Sequence, residues 1–95
     1  MSRDPELMEG LCRALLNLKD QEECRAFLAD LCTIQEVEDM TRRLQVAQLL
    51  DKGDNYLDIA AQTGMSTATI SRVNRSLRYG AGGYRLVLDR LKGEA

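Results

Sequence analysis

The sequence predicts an all-α protein of six helices, of which the fourth and fifth form a helix-turn-helix. Of the 95 residues, 44% are hydrophobic but only 4% are aromatic, so the core must be aliphatic. The single proline is at position 5, and apolar residues recur at the three- and four-residue spacing of helices. Ala60 precedes Gly64 by four residues, a spacing typical of two short helices joined by a tight turn.

The first two helices are predicted to span about Asp4 to Leu18 and about Gln21 to Leu31. The first carries apolar residues on two flanks, whereas the second is short and carries them on one side. Asp20 followed by Glu23 resembles a capping box, in which two side chains satisfy backbone N–H groups at a helix start. This pattern indicates where the second helix begins.

The longest helix is predicted from about Ile34 to Lys52. Thr33 with Glu36 forms a better capping box at its start, and Gly53 ends it by permitting a left-handed backbone conformation. The acidic residues near its start complement the helix dipole and are assigned no site. Since apolar residues cover two sides of this helix, we expect it to contact more than one partner.

Residues 55–79 contain the predicted helix-turn-helix. Asp54 or Asn55 can cap its first helix, and Ser66 or Thr67 can cap its second, because each offers an oxygen to unpaired N–H groups. Gly64 provides the turn. The apolar residues expected to lock the two helices together are Ile59, Met65, Ile70 and Val73.

The second of these helices has two unlike faces. Residues lie about 100° apart around a helix, which places Ile70, Val73 and Leu77 on an inner, apolar face. The outer face carries Ala68, Ser71, Arg72 and Arg75. Short and cationic side chains suit a DNA major groove, where arginines reach guanine or phosphate. An ordinary helical hairpin with a solvated polar face is the alternative interpretation.

Charge is unevenly distributed along the chain. The formal net charge is −2, which by itself does not favour nucleic-acid binding. Residues 1–65 hold 7 basic and 13 acidic residues, a balance of −6, whereas residues 66–95 hold 6 basic and 2 acidic residues, a balance of +4. The positive third begins at the second helix of the helix-turn-helix, so Arg72, Arg75 and Arg78 are predicted to contact DNA.

A glycine-rich segment, Gly80 to Gly83, connects this helix to the last one, predicted at Tyr84 to Lys92. It lacks the third glycine of a dinucleotide-binding loop, no Lys-Ser/Thr follows it and no strand precedes it. We therefore interpret it as a connection between helices rather than as a phosphate site.

Several other classes of site and location are not expected. Cys12, Cys24 and Cys32 form no Cys-x-x-Cys and no histidine is present, so neither a metal site nor a disulfide framework is predicted. Buried, reduced thiols are the simplest interpretation. No signal peptide and no membrane-spanning run is recognisable, so we expect a soluble cytoplasmic protein without a membrane partner.

The six helices resemble the Trp repressor family, most closely its YerC/YecD type, and residues 31–77 align with it without gaps. The most specific part is Thr67 to Arg72, followed by Asn74, Ser76 and Leu77. The resemblance implies one Trp repressor-like domain over residues 1–95 that forms an intertwined homodimer. Residues 1–52 would supply the helical dimerisation part, 55–79 the helix-turn-helix, and 84–92 a helix packing on the dimer core.

The resemblance also implies site residues. Those matching the family's DNA-contacting positions are Thr67, Ala68, Thr69 and Ser71. The two arginines that hold the tryptophan corepressor match Arg42 and Arg72, which makes them a possible effector site. However, the family's threonine there is matched by Cys32, and the small residue that leaves room for the indole is matched by Val73. Tryptophan is therefore not expected as a corepressor, and no cofactor is predicted.

The sequence thus predicts a homodimeric regulator of transcription, a repressor without catalytic activity, that binds a palindromic operator in double-stranded DNA. A helical interaction module, whose vestigial helix-turn-helix contacts the transcription machinery, is the alternative, and salt-independent binding would favour it. An enzyme is a third class, but the sequence offers no histidine, metal cluster or nucleophile–base pair. Operator sequence, regulated genes and any small-molecule effector remain unspecified.

Overall fold

The computed structural model describes residues 4 to 94, and within them it contains six α-helices and no strand. The helices are α1 Pro5–Leu16, α2 Gln21–Leu31, α3 Ile34–Lys52, α4 Tyr56–Thr63, α5 Thr67–Tyr79 and α6 Gly83–Gly93. The predicted all-α class and the bounds of α2 and α3 are confirmed. The predicted domain of 1–95 includes residues 1–3 and 95, which lie outside the described residues.

The first helix is shorter than predicted. Asp4 is its N-cap, and the Asp4 Oδ1 atom accepts a hydrogen bond from the Glu6 N–H at 2.9 Å. The helix ends at Leu16 because the next two N–H groups bond to carbonyls three residues back, which tightens and closes the last turn. The Asn17 amide also donates to the Arg13 carbonyl at 2.7 Å, so Asn17 stabilises this end.

Side-chain caps begin α2 and α3 as predicted. The Glu23 N–H donates to Asp20 Oδ1 at 2.9 Å, while Glu23 Oε1 accepts from the Lys19 N–H, one residue before the cap, at 2.9 Å. At α3 the box is fully reciprocal, since Glu36 N–H donates to Thr33 Oγ1 at 3.0 Å and Thr33 N–H donates to Glu36 Oε1 at 2.8 Å.

The chain forms two compact units, one ending at Val37 and the other beginning at Glu38, so their boundary falls inside α3. In the first unit, neither α1 nor α2 contains a buried residue. Its exposed large apolar side chains are Leu7, Met8, Leu11, Leu15, Leu16, Leu31 and Ile34. The apolar stripes predicted for these helices therefore exist but are uncovered in the single chain.

The cysteines share this exposure. All three are free thiols, as predicted, but Cys12 is exposed and Cys24 and Cys32 are only half-buried. The prediction of buried thiols is wrong for the single chain, in which neither α1 nor α2 contains a buried residue.

The second unit has a continuous apolar core. Its buried residues are Val46, Ala47 and Leu50 of α3, Ile59 of α4, Ile70, Val73 and Leu77 of α5, and Leu88 of α6. Ala60 and Met65 pack at its edge. The predicted inner face of α5 and the predicted anchors of the helix-turn-helix are thus confirmed. These helices hold one another by burial of aliphatic surface.

An ionic cluster attaches α6 to the end of α3. Arg85 donates to both oxygens of Asp51, at 2.7 and 2.9 Å, and Lys92 Nζ lies 2.6 Å from Asp51 Oδ2. The Asp51 side chain is only 10% exposed, and hydrogen bonds from the two cations lower its pKa well below the usual range of a carboxyl. Arg85 also pairs with Asp89 on its own helix, so the guanidinium bridges two carboxylates.

The glycine segment before α6 is shorter than predicted, because α6 begins at Gly83 and extends to Gly93. Gly82 has φ of 88°, a left-handed conformation that disfavours other residues. Gly80 is required for a different reason: a Cβ atom there would lie 2.3 Å from the Ser76 carbonyl oxygen. The segment is therefore a tight connection, in agreement with its interpretation as a link between helices.

Candidate nucleic-acid interface

The turn between α4 and α5 has the predicted geometry. Gly64 has φ of 72°, and its N–H donates to the Ala60 carbonyl at 2.9 Å, closing α4. The two open choices of cap are resolved: Asn55 caps α4, accepting from Asp58 N–H at 2.9 Å, and Ser66 caps α5, accepting from Thr69 N–H at 3.1 Å. Two caps and one left-handed glycine thus define the path of the chain into α5.

Thr63, the last residue of α4, is a buried polar residue that the sequence analysis did not single out. Its hydroxyl donates to the Ile59 carbonyl at 2.7 Å and accepts from the Met65 N–H at 3.2 Å. Its own carbonyl accepts from Arg42 Nη1 of α3 at 2.8 Å. A threonine directly before a turn glycine can make such a bond to the carbonyl four residues back, which was the available local signal.

The predicted outer face of α5 faces solvent. Thr67, Ala68, Ser71, Arg72, Arg75 and Arg78 are all exposed. Thr69 is only half-buried, and its hydroxyl accepts a hydrogen bond from Ser66 Oγ at 3.0 Å. The first turn of α5 therefore presents short side chains around Ala68, with the arginines following along the same helix.

The positive charge of residues 66–95 is concentrated on α5. Two of the six basic residues, Arg85 and Lys92, form ion pairs with Asp51, and Arg85 also pairs with Asp89. Arg78 donates through Nε to the uncharged amide oxygen Asn74 Oδ1 at 3.2 Å, so its positive charge is not neutralised. Within the described part of the chain, Arg72 and Arg75 take part in no ion pair. Of the four remaining basic residues, Arg72, Arg75 and Arg78 are therefore on α5 and only Arg90 is on α6.

A groove of about 500 Å³ lies beside α5. Its lining residues are Asp39, Arg43, Met65, Thr69, Arg72, Val73, Ser76 and Tyr84. Of the two arginines matched to an effector site, Arg72 lines this groove, whereas Arg42 is directed to the Thr63 carbonyl instead. Asp39 and Arg43 had been assigned no role, although their four-residue spacing on α3 places them on one helical face.

Val73 is part of both the core and the groove. It is only 3% exposed, so its side chain packs among the core residues while forming part of the groove wall. Cys32, the other departure from the family pattern, is the C-cap of α2 and lies in the first unit.

Among residues 4 to 94, no three or more Cys, Asp or Glu side chains are grouped so that they could hold a metal ion. Over the same residues, every helix is too short or too polar to cross a bilayer.

Comparison with known proteins identifies the family. A family model described as Trp repressor protein matches residues 6–92. The uncharacterised protein YerC of Bacillus subtilis (strain 168) is 49% identical over 85 residues, which is 90% of this chain and 82% of that protein.

Two crystal structures have the same fold. A TrpR-like protein from Eubacterium eligens ATCC 27750 is 49% identical, with a TM-score of 0.89 over 94% of this chain and 92% of the other. A protein from Staphylococcus aureus is 43% identical, with a TM-score of 0.88 over 94% of this chain and 89% of the other. Because the family model spans nearly the whole chain and these relatives share both its fold and close to half of its residues, the chain belongs to the Trp repressor family.

Proposed function

We propose that this protein is a sequence-specific DNA-binding regulator of transcription, a repressor, that acts as a homodimer. The observation that carries the proposal is the outer face of α5, where small side chains at the start of the helix are followed by exposed arginines. Short side chains allow the backbone to approach base edges, and arginines supply phosphate or guanine contacts. Membership in a family of regulators supports this function and gives no reason to propose catalysis.

The uncovered apolar surface supports the homodimer. Leu16 is 84% exposed and Ile34 is 82% exposed, and five further large apolar side chains of the first unit are also exposed. Burial of each such side chain contributes on the order of 1.5 to 3 kcal/mol, so a dimer that covers them gains substantial stability. Sedimentation at micromolar concentration should give the mass of two chains, and a stable monomer would contradict this part of the proposal.

A homodimer with two-fold symmetry presents two copies of α5. We therefore expect a palindromic operator whose half-sites are separated by about 10 base pairs or a multiple of that distance. Selection of bound sequences from a random pool of double-stranded DNA tests this directly. Enrichment of a symmetric site supports the proposal, whereas absence of any enriched sequence would contradict sequence-specific binding.

One substitution tests whether α5 is the surface that contacts DNA. Ala68→Glu places a carboxylate against the groove of the DNA, so operator binding should be lost. Ala26→Glu is the matched control, because it adds the same charge at an exposed alanine on the side of α2 opposite its apolar residues, and it should leave both the dimer mass and the affinity unchanged. Circular dichroism should show both variants folded. Equal operator affinity of the Ala68 variant and the parent would show that α5 does not face DNA.

Tryptophan is not part of the proposed mechanism. The proposed DNA-binding form needs no bound amino acid, because Val73 packs in the core where the family requires room for an indole.

The alternative of a protein-interaction module predicts a different salt response. Binding to DNA should weaken steeply as the salt concentration is raised. Binding to a protein partner that does not change with salt concentration would favour the alternative.

A further inference from the structure

A hydrogen bond connects Arg42 of α3 to the backbone at the end of α4, the first helix of the helix-turn-helix. Arg42 Nη1 lies 2.8 Å from the Thr63 carbonyl oxygen, a partly buried contact between residues 21 positions apart. Carbonyls at a helix C-terminus have no partner within the helix and carry the negative end of its dipole. A guanidinium donor at this point makes a charge-assisted hydrogen bond with a defined direction.

The acceptor belongs to the residue that also organises the turn. The Thr63 hydroxyl bonds to the Ile59 carbonyl inside α4 and to the Met65 N–H inside the turn. Gly64 and Met65 then lead directly to Ser66, the cap of α5. A displacement of the Thr63 backbone would therefore be transmitted to the start of the helix whose outer face is proposed to contact DNA.

The hydrogen bond adds a directional constraint to the apolar packing of α3 against the helix-turn-helix. Val46 lies one helical turn after Arg42 on α3 and is fully buried against the core of the second unit. Contacts of this kind are strong but non-directional, because burial depends on area rather than on angle. A hydrogen bond at the edge of the packed surface limits rotation of α4 and α5 about that surface.

We propose that Arg42 is a positioning residue that holds the helix-turn-helix in its orientation on α3. Its importance for operator binding rests on the proposed DNA-binding function, but the positioning itself can be measured without DNA. This role differs from binding a small-molecule effector, because the Arg42 guanidinium donates to the protein's own backbone.

The adjacent arginine provides a matched control. Arg43 is the next residue on the same helix and, like Arg42, is exposed. Arg42→Gln and Arg43→Gln therefore remove the same charge from neighbouring positions, but only the first removes the bond to Thr63. Arg42→Lys keeps the positive charge and a hydrogen-bond donor, so its amide exchange and operator affinity should lie between those of the parent and of Arg42→Gln.

Amide hydrogen exchange in the free protein is the first measurement. In Arg42→Gln, exchange at Gly64 and Met65 should be on the order of five- to twentyfold faster than in the parent, with little change at Ile59 and Ile70, because loss of the bond opens the turn locally. Arg43→Gln should exchange like the parent. Equal exchange in the two glutamine variants, or uniform acceleration that includes the core amides, would overturn the proposal.

Operator affinity is the second measurement. Arg42→Gln should weaken binding about five- to twentyfold, the lower part of the range of an ordinary coupling between two sites, without changing the salt dependence. A smaller salt slope would mean that Arg42 contacts phosphate and is not a positioning residue. If the parent chain binds no DNA, the proposed function fails, while the exchange comparison still decides whether Arg42 positions the helix-turn-helix.

Discussion

Arg75→Ala should reduce the salt dependence of operator binding by a predictable amount. Each protomer offers three arginines on α5, at positions 72, 75 and 78, whereas Arg85 and Lys92 are paired with Asp51. If all six arginines of a dimer neutralise phosphates, the slope of log affinity against log salt is about −5. The substitution removes two of these charges, so the slope should become shallower by about 1.8.

This change has a measurable size. A difference of about 1.8 in slope means that the ratio of the parent's operator affinity to the variant's falls roughly twelvefold between 50 and 200 mM salt. Fluorescence anisotropy titrations of one labelled operator at several salt concentrations would determine both slopes. Because a phosphate contact carries no sequence information, affinity for unrelated DNA should fall in parallel.

Arg90→Ala is the control for this experiment. Arg90 is an exposed arginine of α6 and has no ion pair among the described residues, but it lies outside the α5 surface. Its removal should leave the slope unchanged. The reasoning would be refuted if Arg75→Ala kept the parent's slope, or if Arg90→Ala reduced it as much.

Three further outcomes are expected. Asp51→Asn should lower the free energy of unfolding at pH 7 by about 1 kcal/mol, a figure that allows for the solvent exposure of its partners. The pKa of Asp51 is lowered on folding, so the contribution of its ionised form to the free energy of unfolding is complete above the unfolded pKa of about 4 and is lost as the pH falls through the lowered value. The urea unfolding curves of parent and variant should therefore converge in acid. Calorimetric titration with tryptophan should show no binding below about millimolar, since the bulkier Val73 matches the position where the family has a small residue beside the indole, and a micromolar dissociation constant would contradict this. Alanine at Thr67 or Thr69 should each cost about 1 to 3 kcal/mol of operator binding, measured by anisotropy, and no loss at either position would place the base contacts elsewhere.

Local features of the fold were predictable because local sequence determines them. The caps at Asp20 and Thr33 depend on residues three positions apart, and the turn depends on a glycine that accepts positive φ. The inner face of α5 follows from helical periodicity alone, which is why Ile70 and Val73 were correctly placed in the core. Each of these signals is complete within about one helical turn.

Contacts between distant parts of the chain were not predictable in the same way. The bond from Arg42 to Thr63 joins residues 21 positions apart, and its acceptor is a backbone carbonyl that any residue could supply. Likewise, nothing local indicates that Arg85 binds Asp51, 34 positions earlier, rather than DNA. The sequence therefore overestimated the cationic surface, because opposite charges that meet only after folding cannot be subtracted in advance.

The periodicity of apolar residues in the sequence predicts that one face of a helix is apolar, but it does not predict what covers that face. Every buried apolar residue among residues 4 to 94 belongs to the second unit, whereas α1 and α2 have none. The second unit therefore has a core of its own to support the helix-turn-helix, while the first has apolar stripes that need a partner. If a second chain supplies that partner, the order of α1 and α2 depends on protein concentration by mass action, whereas the turn at Gly64 does not. Dilution should then weaken operator binding through loss of the dimer, while each released chain keeps the surface of α5 intact.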